Sequence, residues 1–151
     1  MKFSETTWDR LTPGEQTMAL AAALIPPPIS LDLWAEGVGT PSVHVLQLAD
    51  RLIRSKIMKI YEPFGIGHYH YIDPETIPEI LRWSGKEATT AMAKRLLPVF
   101  ASEYEEGPSL WMALAYLYQT SGIDPQDNAV LIRAAEYCLR ENLPADAAEY
   151  Y

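Results

Sequence analysis

Residues 48–72 read LADRLIRSKIMKIYEPFGIGHYHYI, and a change of period inside this stretch decides the fold. Up to about Ser55 the apolar residues keep helical spacing. Val45, Leu46, Leu48, Ala49, Leu52 and Ile53 fall on one side, while His44, Gln47, Arg51 and Arg54, at i, i+3, i+7 and i+10, share the other. From Ile57 the pattern shortens. Ile57–Tyr61 and His68–Ile72 are rich in β-branched and aromatic residues and flank a Pro/Gly loop at 62–67, which predicts a helix leading into a β-hairpin. Alternation puts His68 and His70 on one face of the second strand and Tyr69 and Tyr71 on the other.

Upstream, Thr12-Pro13-Gly14-Glu15 is a helix start: Thr12 caps, Pro13 suits the first helical position, and Glu15 completes a T-x-x-E capping box. A dense apolar run, Met18 to Ile25, is then stopped by Pro26-Pro27-Pro28, none of which has an amide hydrogen to donate. Ser30 caps a short second helix weighted by Leu31, Leu33 and Trp34, and Gly37–Pro41 is a loop before a third helix capped by Thr40 or Ser42. Downstream of the hairpin, Asp73-Pro74-Glu75 opens a helix with Ile77, Ile80, Leu81 and Trp83 on one face; Pro78 is tolerated in its first turn and Ser84-Gly85 closes it. Helix, short helix, helix, two-stranded hairpin, helix is the order of a winged helix, here over residues 8–84.

Three stretches carry a further likeness: ALIPPPISLDLWAEG (23–37), LADRLIRSKIMKIYE (48–62) and HYHYIDPETIPEIL (68–81). They resemble the winged-helix segment of multidomain signalling ATPases of the STAND class. There a helix ends before an I-S-L-D-L turn, a second helix leads into a strand, and a tyrosine-bearing strand leads into a closing helix. The likeness covers residues 12–83 and rests on hydrophobic spacing. It implies a winged helix that packs on neighbouring domains rather than on DNA, followed by a helical array, with the ATPase core absent from this chain.

Residues 86–151 read as helical throughout. Glu87–Tyr104 carries Ala91, Met92, Leu96, Leu97 and Phe100, with Pro98 inside it predicting a kink or a split. Ser109 caps a helix bearing Leu110, Trp111, Leu114 and Leu117; Asn128–Asn142 follows, then a last short helix at Ala145–Tyr151. Small residues at contact positions and short turns resemble tetratricopeptide-type helix pairs, but no clean 34-residue self-similarity is present, and a plain helical bundle fits equally. The expected fold is mainly α, with α+β character in the first half: a winged-helix domain at 8–84, then tetratricopeptide-like antiparallel pairs at 86–151.

Composition narrows the role. The chain has 151 residues, 48% hydrophobic and 21% charged, which is globular composition. One Cys excludes an internal disulfide framework, and the longest apolar run, Met18–Ile29, is broken by prolines and short of the ~20 residues of a membrane span. The opening MKFSETTWDR has no apolar signal core, so a cytoplasmic protein without a membrane partner is expected. The net charge of −8 counts against a phosphate-binding surface.

The candidate chemistry is sparse. There is no G-x-x-x-x-G-K-[ST] loop and no G-x-S-x-G elbow. Cys138 lies among Ala134, Ala135 and Leu139 and reads as a small core hydrophobe. His68-Tyr69-His70 has chelating spacing, with His44 or Asp73 as a third ligand, but nothing in the sequence brings His44 near, there is no second Cys, and a two-His spacing is common by accident. We therefore expect no catalytic, cofactor or metal site. The candidate contact residues are His44, Gln47, Arg51, Arg54, Lys56 and Lys59, a basic patch that suits either a partner or DNA. Asp50 and Glu62 lie near it, and the loop at 62–67 has no Lys or Arg to grip a phosphate backbone. The expected function is a non-catalytic interaction module for a protein partner or neighbouring domain; the alternative is a DNA-binding regulator using the third helix and wing.

Overall fold

In the computed structural model, residues 4–62, 67–124 and 129–141 are described. The chain runs α1 (Glu5–Arg10), α2 (Pro13–Leu24), β1 (Ile29–Ser30), α3 (Leu31–Val38), α4 (Ser42–Arg54), β2 (Met58–Ile60), β3 (His68–Tyr71), α5 (Thr76–Ser84), α6 (Lys86–Glu103), α7 (Pro108–Ser121) and α8 (Ala129–Arg140). It is mainly helical, with one small antiparallel sheet in the order β1-β3-β2.

The helix starts follow local chemistry. Thr12 Oγ1 accepts from the Glu15 amide at 3.2 Å and Ser30 Oγ from the Leu33 amide at 3.1 Å, as their positions in the sequence predict. Elsewhere the structure differs from the residue pattern. The N-cap of α4 is Pro41, with no side-chain cap, rather than Thr40 or Ser42. That of α7 is Gly107, so Ser109 lies inside the helix. A first helix, α1, capped by Ser4, precedes the expected start. Finally, α6 runs unsplit through Pro98. Pro98 and Lys94, whose carbonyl loses its usual donor, are both exposed, so water can serve that carbonyl. Leu96 and Phe100, both fully buried, hold the helix on either side. The helix expected at 145–151 lies outside the described residues.

β1 is a strand that the residue pattern does not reveal. It is two residues long and pairs Ile29 with Tyr69 and Ser30 with His68, while β2 pairs Met58 with Tyr71 and Lys59 with His70. β3 is therefore central. Tyr69 and Tyr71 are buried and His68 and His70 are half-buried on the opposite face, the alternation expected of this strand.

The core is organised around α2. Met18 to Ile25 are all buried, and α3, α4, α5, α6 and α7 all pack against this one helix. Its alanines, Ala19, Ala21, Ala22 and Ala23, let neighbours approach the backbone itself. Three aromatic side chains use that access: Trp34 Nε1 donates to the Met18 carbonyl at 2.8 Å, the Tyr71 hydroxyl to the Ala19 carbonyl, and the Tyr116 hydroxyl to the Ala23 carbonyl at 3.0 Å. A helical carbonyl has two lone pairs, so those of Met18 and Ala19 can take a side-chain donor in addition to their i+4 amides, while that of Ala23, four residues before Pro27, has no such amide and takes the Tyr116 hydroxyl instead. Trp34 is fully buried with its ring 5.7 Å from that of Tyr69. Burying an indole removes about 150–250 Å² from water, roughly 4–6 kcal/mol before entropy is counted. Buried side chains on both sides of Gly85, from Trp8 to Leu117, form one cluster.

Two predictions follow from this core. Ala23→Leu keeps a good helix former but fills the space through which Tyr116 reaches the backbone; it is expected to cost about 1–3 kcal/mol in urea unfolding, where an exposed Ala→Leu change would cost almost nothing. The second concerns pH. Burial raises the pKa of Tyr71 well above 10.0 and that of Tyr69, Tyr104 and Tyr116 to a lesser degree. Above the usual tyrosine value the unfolded chain releases protons that the folded chain retains, so stability is fully present below about pH 10 and is lost as the pH climbs beyond it. Thermal melts between pH 9 and 11.5 should show that decline, and Tyr71→Phe should flatten it while costing about 1 kcal/mol at neutral pH.

Candidate functional site

The six candidate contact residues are all exposed. His44, Gln47, Arg51 and Arg54 run along the outer face of α4, whose inner face buries Val45, Leu48, Ala49 and Leu52 against the core. Val43, 73% exposed, stands beside them at the start of the helix. The other two residues belong to different elements. Lys56 occupies the turn after α4 with a φ of 62°, and Lys59 lies on β2 opposite His70. The structure thus brings four of the six onto one stripe, with Lys56 and Lys59 beyond its end.

The electrostatics of this stripe are mixed. Arg51 Nη1 lies 3.8 Å from Glu15 Oε1, and the Glu15 side chain is only 10% exposed. One of the two stripe guanidiniums is therefore already turned toward a carboxylate of α2. Asp50 is exposed next to it, close enough to Tyr69 for its charge to add to the burial that raises that phenol's pKa. Lys59 acts similarly on His70, whose pKa falls first because of burial and then because of the neighbouring ammonium. The Phe64 side of the expected wing lies outside the described residues.

His70 meets the Tyr61 ring edge-on at 5.2 Å, and among the described residues no three His, Cys, Asp or Glu side chains are placed to hold a metal ion. Cys138 is fully buried with its Sγ 3.8 Å from Met112 Sδ, in keeping with its reading as a core residue.

The residue pattern missed a second region. Between Pro26–Pro28 and the α6–α7 junction lies a cleft of about 570 Å³. Leu33, Met112 and Ala113 contribute to its apolar lining, Tyr104 and Tyr116 to its aromatic lining, and Ser30, His68, Glu103 and Ser109 to its polar groups. These residues span positions 26 to 116. No local signal links them, since the cleft exists only because α7 packs on α2.

A third region is the outer face of α8. This helix packs chiefly on α7, burying Ala134, Ala135 and Cys138. On the other side, Ile132 and Leu139 are 46% and 50% exposed and lie seven residues apart on the same stripe. Glu106, in the turn before α7, accepts from Trp111 Nε1 at 3.1 Å and from Arg133 Nη1 at 3.2 Å, tying that turn to α8. No helix of the described residues is long and apolar enough to cross a membrane. No family model, curated protein or solved structure matches the chain.

Proposed function

We propose that the chain is a non-catalytic interaction module, a winged-helix-type unit joined to tetratricopeptide-like helix pairs, which binds a protein partner or a neighbouring domain in a cytoplasmic regulatory protein. The winged-helix part of this reading draws support from the sheet order β1-β3-β2 with α2, α3 and α4 placed before the hairpin. The observation that carries the interaction reading is the apolar stripe of Ile132 and Leu139 on the outer face of α8. Two large aliphatic side chains on one helix stripe are an area of surface that a second protein can dehydrate.

DNA binding is the second reading, favoured by the exposure of the whole α4 stripe. The Glu15 partner of Arg51 and the charge of −8 weigh against it. Fluorescence anisotropy with a mixed-sequence duplex separates the two. The module reading expects no binding at 50 mM salt and no change on Arg51→Glu/Arg54→Glu. Binding that falls roughly a hundredfold between 50 and 200 mM salt, as about four phosphate contacts would give, and that is lost in the double variant, would move the function to α4. Affinity capture supplies the positive arm: a partner retained by the wild-type chain should be released by Ile132→Asp/Leu139→Asp, and equal retention would refute a role for α8.

A further inference from the structure

We propose that the cleft between Pro26–Pro28 and the α6–α7 junction is a docking groove for an extended basic peptide segment. This deepens the interaction reading by naming a surface and a partner chemistry, and it rests on that reading.

The cleft measures about 570 Å³, within the roughly 300–1,000 Å³ of typical ligand pockets. Its apolar part is rigid. The prolines have fixed φ, and Tyr116 is held by its hydroxyl bond to the Ala23 carbonyl. Tyr104 is propped edge-on against Phe100 with the rings 5.7 Å apart. Aromatic and prolyl walls of this kind suit a Pro-containing extended segment, whose polyproline II conformation is largely preformed.

Charge identifies the occupant. Glu103, the last residue of α6, lies in this cleft and also in a second depression that adjoins it, lined by Asp32 and Glu36 of α3 and by the Gly39–Ser42 loop. The two depressions share Glu103; the first is otherwise mainly prolyl and aromatic, and the second is carboxylate-rich. Asp32 and Glu36 are one helical turn apart, so both project from the same side of α3, and the third carboxylate comes from a different helix. Among the described residues, no Lys or Arg lines either part. The guanidinium of Arg95 lies against Gly39, a lining residue of the second depression, so three carboxylates there stand against one cation. A segment with one or two Lys or Arg beside a proline or a branched aliphatic residue matches both depressions: its cation meets the carboxylates and its apolar residue enters between the two tyrosines.

The test uses the whole chain and two fluorescein-labelled probes, three copies of Lys-Pro-Leu and three copies of Glu-Pro-Leu, read by anisotropy at 50 and 200 mM salt. The basic probe should bind and weaken with salt, and the acidic one should not bind. Glu103→Lys should weaken the basic probe about three- to tenfold. That side chain is exposed at the end of α6, where a lysine also complements the helix dipole, so the variant folds. Ser109→Trp, which fills the apolar end, should weaken binding at both salt concentrations. Asp9→Lys, an equal change of charge on exposed α1, should leave it unchanged. No binding at 50 mM salt, equal binding of the acidic probe, or equal weakening by Asp9→Lys and Glu103→Lys would each overturn the groove. The Ile132→Asp/Leu139→Asp variant should bind the basic probe as the wild type does, so failure of the α8 reading and failure of the groove are separate results.

Discussion

The structure depends on how closely other elements can approach the backbone of α2. A helix whose buried surface is largely alanine presents its carbonyl oxygens almost bare, and Trp34, Tyr71 and Tyr116 each donate to one of them. The three donors come from α3, β3 and α7, so a helix, the sheet and the second helical half are all fixed against the same two turns of chain. Hydrophobic burial supplies most of the free energy, but it is non-directional. These hydrogen bonds add direction, because a donor reaching a particular carbonyl admits little sliding of the element that bears it.

The fixed centre explains how the outer surfaces are distributed. With its inner face committed to α2, α4 must turn His44, Gln47, Arg51 and Arg54 outward. Because α7 also packs on α2, the proline run after α2 ends up opposite the α6–α7 junction, and the gap between them is the cleft. α8 adds a layer held mainly through α7, which leaves Ile132 and Leu139 facing outward. The three candidate surfaces are therefore carried by different elements of one scaffold; the α4 and α8 surfaces can be altered without touching the core bonds, whereas the cleft shares Tyr116 with them.

What was legible beforehand follows from whether a feature is local. The start of α2 could be read because Thr12, Pro13 and Glu15 act within one turn, and the start of α3 because Ser30 reaches an amide three residues on. The outward stripe of α4 could be read because period alone assigns its face. β1 could not, since a two-residue strand has no period and exists only through its pairing with Tyr69 and His68. Of the kink or split that Pro98 predicts, the split does not occur, because the rule concerns the lost bond, whereas the helix is held by the buried anchors on either side and the orphaned carbonyl is exposed. The cleft was illegible for a similar reason: its walls are about ninety positions apart and meet only through tertiary packing.

The position of α8 has a kinetic consequence. A helix fastened chiefly to one neighbour can detach by itself, without first opening the α2 bonds, so the free energy of local opening should be graded across the chain rather than uniform. Amide protons of α8 would then exchange through a sub-global excursion, while those of α2 wait for complete unfolding. A protein that seizes the outer face of α8 would suppress that excursion. Its binding would slow exchange over the α7–α8 layer and leave the slowest amides, those of α2, at the rate set by the whole fold.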